Sequence, residues 1–277
     1  MINILTDSTA DLPDSLIDAY QIGVLPMYVQ IDGKTYKDGI NISAQTLFER
    51  VNETGQYPTT SAPSPSDFQK FFSHKSPTIY IGVSSVLSST FQNAQFALND
   101  FGSSLFDLID SKNISAGYGQ IVLQAAEWRN NGMSFDELGV KIRQLIHKAR
   151  GIFILDSLDY LYHGGRCSSV DHIVSGIFKI RPILNILPNG TLGVLQKVRG
   201  SRVKAVDALW NYFTTQIQNL SLKRIFLMHI DSDDEIDYLQ KKILNYGVPI
   251  QIEIGKVGCV LATHSGPKPL GIAYTVN

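Results

Sequence analysis

Apolar and polar positions divide the chain into short runs of strand character alternating with longer amphipathic stretches of helix character. INILTD predicts a strand ending at Asp7, and Pro13 then introduces a helix with Leu12, Leu16, Ile17 and Tyr20 as its apolar positions. GVLPMYVQIDGKTYKDG alternates around Asp32-Gly33, the pattern of a hairpin, placed as an excursion at the sheet edge. ISAQTLFERVNET predicts a helix through Leu47, Phe48 and Val51, and PSDFQKFFSHK a shorter one. TIYIGV reads as a buried strand, FQNAQFALND as a helix and SLFDLID as a strand ending at Asp110. A loop holding Gly117 and Gly119 follows, then a helix through Leu123, Ala126 and Trp128. Ser134, three residues before Glu137, opens one more helix with a capping-box signature. Strands alternating with helices predict an α/β fold whose sheet is mostly parallel with helices on both faces.

The texture changes at Gly151. GIFIL predicts a strand, followed by a short helix, a turn at Gly164-Gly165-Arg166, a helix over IVSGIFK, and a hairpin closed at Asn189-Gly190. KAVDALWNYFTTQIQNL and DEIDYLQKKILNYG are helical, while KRIFLMHID, VPIQIEIGKV, CVLAT and GIAYTV have strand character. This half predicts a second α/β domain with a mixed or antiparallel sheet. The domains are therefore expected at 1–150 and 151–277, with no Gly/Ser-rich linker between them.

Two hydroxyl-rich, nearly uncharged stretches stand out. TTSAPSPS, from Thr59 to Ser66, is punctuated by prolines and predicts an ordered loop; SSVLSST, from Ser84 to Thr90, falls at a strand-to-helix turn. A helix start offers unpaired N–H groups and a partial positive charge, so two such loops facing each other could hold an anion without Lys or Arg. Capping alone accounts equally well for each loop taken singly, and for Asp7 and Asp110 at the strand ends. His264-Ser265-Gly266-Pro267 reads as a turn between the strands CVLAT and LGIAY, where His264 could meet Arg166 or an anion. Arg181, Lys197, Arg199, Arg202 and Lys204 predict one locally basic face, a solvated surface or a docking surface for an acidic partner.

Composition narrows the class further. At 277 residues with a formal charge of −1, the chain is long enough for a real core, and its balance does not point to nucleic acid as the principal partner. Cys167 and Cys259 lie far apart without metal-type spacing, which suits a reduced cytoplasm and two structural thiols, with some reactivity at Cys167 left open by Arg166. No apolar run approaches the length of a membrane span, and no targeting segment is expected ahead of INILTD. None of the six histidines has neighbours at metal spacing. Dinucleotide, P-loop, nucleophile-elbow and HExxH motifs are absent, so Asp7, Ser88 and His264 could form a hydrolytic or phosphotransfer site only by assumed geometry.

LTDSTADLP, TTSAPSPSDF, VSSVLSSTFQNA, DSKNISAGYG, LDYLYHGGR, KIRPIL and THSGPKPLGIAY, in that order, resemble the DegV family over essentially the whole chain. The resemblance implies two α/β domains with a long-chain fatty acid in a tunnel between them. It implies a cytoplasmic bacterial lipid-binding protein, not an enzyme by itself. Such a protein is a subunit of a fatty acid kinase, presenting the carboxylate to a separate kinase subunit for acyl phosphate formation. By analogy the ligand-binding residues are Thr60, Ser61, Ser88 and Ser89, with Arg166 and His264 near the tunnel mouth. No cofactor, metal or nucleic acid is implied, and transient membrane contact is left open. Two residues depart from the family pattern: Ser89 and Lys268 stand where glycine is usual, and the Ser89 side chain is expected to narrow the head-group site or shift the backbone. A stand-alone hydrolase or phosphotransferase using Asp7, Ser88 and His264 remains the rival reading, and a lipid-dependent sensor of another protein a third.

Overall fold

The computed structural model describes residues 1–72, 76–98, 105–167, 180–217, 222–246 and 250–276. The expected helix over IVSGIFK, together with Ser73, His74 and His172, lies outside the described residues.

β1 (Asn3–Asp7) is the inner strand of a four-stranded parallel sheet in the order β2 (Ile22–Leu25), β1, β6 (Thr78–Gly82), β7 (Phe106–Asp110). β6 is buried at every position, as its unbroken TIYIG run requires. The helices between these strands start where the sequence marks them. Ser43 caps α2 (Ala44–Thr54), Ser64 and Asp67 make a reciprocal box at α3 (Pro65–Phe71), and Ser134 and Glu137 do the same at α6 (Phe135–Ile146).

Three local expectations change. The GVLPMYVQIDGKTYKDG run is split: Ile22–Leu25 enters the parallel sheet, and only β3 (Tyr28–Ile31) and β4 (Lys34–Lys37) form the hairpin, with Asp32 and Gly33 both at positive φ. Thr59–Ser61 is not loop but a short edge strand, β5, paired antiparallel with β3 in a separate three-stranded sheet. Its β-branched threonines suit an edge, and Pro63 ends it before a further rung can form. Gly117 and Gly119 lie inside α5 (Ala116–Asn130) rather than before it. Glycine is required at both because the helix approaches its surroundings closely there: a Cβ on Gly117 would overlap the Asn113 carboxamide, and one on Gly119 the Ala10 carbonyl.

A six-stranded mixed sheet forms the rest, in the order β10 (Leu192–Arg199), β9 (Ile180–Ile186), β8 (Ala149–Ile154), β13 (Leu270–Thr275), β11 (Arg224–His229), β12 (Gln251–Lys256). Only β11 and β12 pair in parallel. α8 (Arg202–Ile217) buries Leu209, Trp210 and Phe213 with Ile225, Leu227 and Ile272, whereas α5 packs against both β1 and β8. The largest apolar core accordingly runs from Ile4 and Ile79 through Tyr118 and Ile121 to Phe226, Met228 and Ala273 without a break between the sheets.

CVLAT, expected as a strand, is the helix α10 (Cys259–Ser265). Its first free N–H groups meet carboxylates: Gly258 N donates to Asp11 Oδ1 at 2.9 Å and Cys259 N to Asp38 Oδ1 at 2.7 Å. A five-residue apolar run carries too little periodicity to distinguish that outcome from a strand. Burial, then Asp38 and Asp11, push the Cys259 thiol up to about 12, consistent with a structural residue.

The basic face is also smaller than the sequence suggests. Arg181 and Arg202 both engage Asp156, at 2.9 and 2.8 Å, and Arg202 also engages Glu235 at 2.6 Å. Lys197, Arg199 and Lys204 are exposed.

Candidate functional site

The carboxyl ends of the parallel strands, where open α/β sheets collect ligands, face the strands of the mixed sheet across a cavity with about 1050 Å³ of empty space, open solvent at its mouth included. Most of its wall is apolar. Ile114 and Ala116 come from the turn into α5, Ile152 and Phe153 from β8, and Ile272 and Ala273 from β13.

Thr60, Ser88, Arg166 and His264 all line this cavity, so the structure brings together four of the residues singled out by sequence. Ser61 and Ser89 do not line it. Side chains alternate along β5, and Thr60 presents its face to the cavity while Ser61 does not. Ser89 is exposed and absent from the positive-φ positions. Lys268, by contrast, does occupy a left-handed conformation, φ 55°.

His264 sits in the last turn of α10, with Nε2 2.9 Å from Thr60 Oγ1. Its Nδ1 is buried without a partner among the described residues and packs against Gly164, where any side chain would overlap it. Burial, and then the Arg166 charge, push the His264 pKa down to about 4, so the ring is neutral at neutral pH. Arg166 Nε donates to Leu87 O at 3.2 Å and NH1 to Gly164 O at 2.8 Å, tying the glycine turn to the second hydroxyl loop.

That loop is held from several sides. Ser84 N donates to Asn113 O at 3.0 Å, and Ser84 Oγ to Gly190 O at 2.9 Å in the tip of the β9–β10 hairpin. Ser85 N and Oγ both donate to Asp110, which also receives Lys112 Nζ at 2.6 Å. Burial alone would raise the Asp110 carboxyl, but the Lys112 and Ser85 bonds outweigh it and hold the group below the usual carboxylate range. Ser88 Oγ lies 2.8 Å from Thr90 Oγ1 and accepts from Thr90 N at 3.3 Å, at the start of α4 (Thr90–Leu98). The Ser88 hydroxyl and the Thr60–His264 pair thus share the cavity wall, an arrangement suited to one carboxylate.

Asp7 does not belong to a hydrolytic triad with Ser88 and His264. It is fully buried, receives Tyr80 OH at 2.9 Å, Val83 N at 3.1 Å and Tyr118 OH at 2.8 Å, and does not line the cavity. No hydrogen bond joins Ser88 to His264 or His264 to Asp7 among the described residues. Asp7 also caps the turn at Ser8–Ala10, the ordinary role that competes with a catalytic one at a strand end. Sequence reasoning passed over Asn113 and Ser115 as wall residues, and placed Thr9 only as part of the first strand end; all three lie just beyond β1 or β7. Their position after parallel strands is the signal that could have found them. Among the described residues no group of His, Cys, Asp and Glu is arranged to hold a metal, and no helix is long and apolar enough to cross a membrane.

Fold and site together define an α/β protein enclosing a largely apolar cavity with a small set of polar groups, the Arg166 guanidinium among them, on its wall. The DegV family model, whose description reads "Uncharacterised protein, DegV family", matches residues 1–277, and the chain belongs to that family. A DegV domain-containing protein of Caldanaerobacter subterraneus is 33% identical over 277 residues, covering 99% of this chain and 98% of its own. A DegV family protein of Thermus thermophilus, described for its fatty acid binding, superposes with a TM-score of 0.93 at 27% identity, covering 100% of this chain and 99% of that one. The Streptococcus pneumoniae fatty acid kinase B3 protein, solved loaded with linoleic acid, shares the fold with a TM-score of 0.88 at 22% identity, covering 100% of each chain.

Proposed function

We propose that this protein binds a long-chain fatty acid in the cavity between its two sheets and presents the carboxylate to a separate kinase subunit for acyl phosphate formation. The observation that carries the reading is the wall itself, apolar over most of its extent with Thr60, Ser88 and His264 converging on it. Burial of the tail supplies most of the affinity, at about 0.8 kcal/mol per CH₂, and the hydroxyls fix which end faces out. A cage of hydroxyls and a neutral imidazole leaves the carboxylate more nucleophilic than a bidentate arginine clamp would. Arg166, beside this cage but bonded to backbone carbonyls, is placed to meet the extra charge of a transferred phosphoryl group. The two walls are assigned to the domains expected at 1–150 and 151–277, with β8 straddling that boundary, and exposed Lys197, Arg199 and Lys204 remain for an acidic face of the kinase.

The fatty acid binding of the Thermus thermophilus protein supports the ligand class, and the description of the Streptococcus pneumoniae protein motivates the kinase step. The test is to load the purified chain with fatty acid, add ATP and hydroxylamine, and look for acyl hydroxamate with and without a fatty acid kinase ATP-binding subunit. Product only in the presence of that subunit is expected. Product formed by the chain alone would overturn the carrier reading in favour of an enzyme.

A further inference from the structure

Each polar side chain on the cavity wall but one engages at least one possible donor atom within the protein. Thr60 pairs with His264 and Ser88 with Thr90, Thr9 bonds Asp7 and Tyr118, and Ser115 Oγ donates to Asp11 Oδ2 at 2.6 Å. Ser265 Oγ donates to Gly266 O at 3.1 Å, and Arg166 to the Leu87 and Gly164 carbonyls. Asn113 differs. It is 5% exposed and lines the cavity; its Oδ1 accepts from Ile114 N at 3.0 Å, yet its Nδ2 donates to no acceptor among the described residues.

Much of the cavity wall near that amide is apolar, with Ile114, Ala116 and Gly151 among its residues. Gly117 lets α5 pass close against the Asn113 Oδ1, which also lies 3.8 Å from where a Gly151 Cβ would stand, and Ala273 is the register partner of Gly151 on β13. No hydrogen bond links Asn113 to Thr60, Ser88 or His264, so it is not part of the head-group set. A plain methylene chain laid over two amide hydrogens would strip their water and return nothing, whereas an oxygen there would accept from them.

We propose that the cavity is shaped for a fatty acid carrying an oxygen part-way along its tail, a hydroxyl or oxo group, and that Asn113 Nδ2 donates to it. Asn113 is then the residue that sets tail specificity. The inference rests on the fatty-acid reading of the cavity and adds to it the class of acyl chain.

The experiment is a titration of the delipidated full-length chain with octadecanoic acid and with hydroxyoctadecanoic acids differing only in the position of the hydroxyl, repeated on Asn113→Leu and Asn113→Ala. At least one positional isomer is expected to bind the wild-type chain about tenfold more tightly than the parent acid, the worth of one buried hydrogen bond. Both variants should lose that preference while still binding the parent acid. The position of the best isomer reports which carbon lies beside Asn113. A wild-type chain that binds the parent acid as tightly as every isomer overturns the inference, whether or not the variants fold, and so does a preference that survives in either variant. If none of the acids binds, the fatty-acid reading itself fails, a result distinct from binding without preference.

Discussion

The two walls of the cavity are built in different ways. The wall from the parallel sheet is made of loop residues just past strand ends, Thr9, Ser88, Asn113 and Ser115, and it carries four of the eight polar residues on the cavity wall. The wall from the mixed sheet is made of strand faces, Ile152 and Phe153 on β8 beside Gly271 and Ala273 on β13, and it is almost wholly apolar. One wall supplies orientation and the other room. Because the tail accounts for most of the burial, damage to the mixed-sheet wall should cost more affinity than damage to any single hydroxyl.

The largest effect is therefore expected from filling the room. Gly151→Leu places its Cβ at ordinary contact distance, 3.5 Å from Gly117 Cα, so the strand can accept it while the remaining side chain enters the cavity. Loading measured by ligand extraction should fall by about a hundredfold, the equivalent of roughly three or four methylenes.

Next come the hydroxyls of the other wall. Ser88→Ala or Thr60→Val should each weaken fatty-acid binding by about tenfold in titration calorimetry, since a charge-assisted hydrogen bond is lost. Ser61→Ala and Ser89→Ala, both off the wall, should stay within about twofold. Equal losses from the two sets would erase the distinction between lining and non-lining positions.

A third effect is pH-dependent. His264 is depressed to about 4 in the folded chain against 6.5 unfolded, so between those values the unfolded state binds the extra proton. Its contribution is intact above pH 6.5 and is lost as pH falls towards 4, by up to about 3 kcal/mol. Denaturant titrations should show this acid loss in the wild-type chain and a shallower one in His264→Gln.

The smallest effect separates the two departures from the family's glycines. Lys268 has φ 55°, so Lys268→Gly should relieve strain and raise stability by about 0.5–1 kcal/mol, whereas Ser89→Gly, away from the positive-φ region, should not stabilise. Thermal melts of the two variants compare them directly.

The contrast between the walls also explains what could be read from sequence. Hydroxyl loops, capping residues and strand ends are local features: Ser84–Thr90 turns from strand into helix, Ser134 caps α6, and Thr60, Ser88, Arg166 and His264 reach one cavity. Choices that depend on the opposite face of a strand are not local. Thr60 and Ser61 are chemically equivalent, and only the pairing of β5 with β3 decides which one looks inward. CVLAT became a helix because Asp11 and Asp38, more than two hundred residues away in sequence, meet its first N–H groups. Arg181 and Arg202 looked like free basic charge until Asp156 was placed between them. The apolar wall was expected only as a tunnel implied by the family resemblance, and its residues could not be named, since Ile152 and Ala273 are ordinary core residues in any sequence window.

Native mass spectrometry of the freshly purified chain, with the ligand identified after denaturation, tests the central claim most directly. One bound long-chain fatty acid per chain is the predicted result. A chain that is empty and also fails to take up added fatty acid would contradict it, leaving the cavity without its proposed occupant and the two hydroxyl loops as ordinary caps.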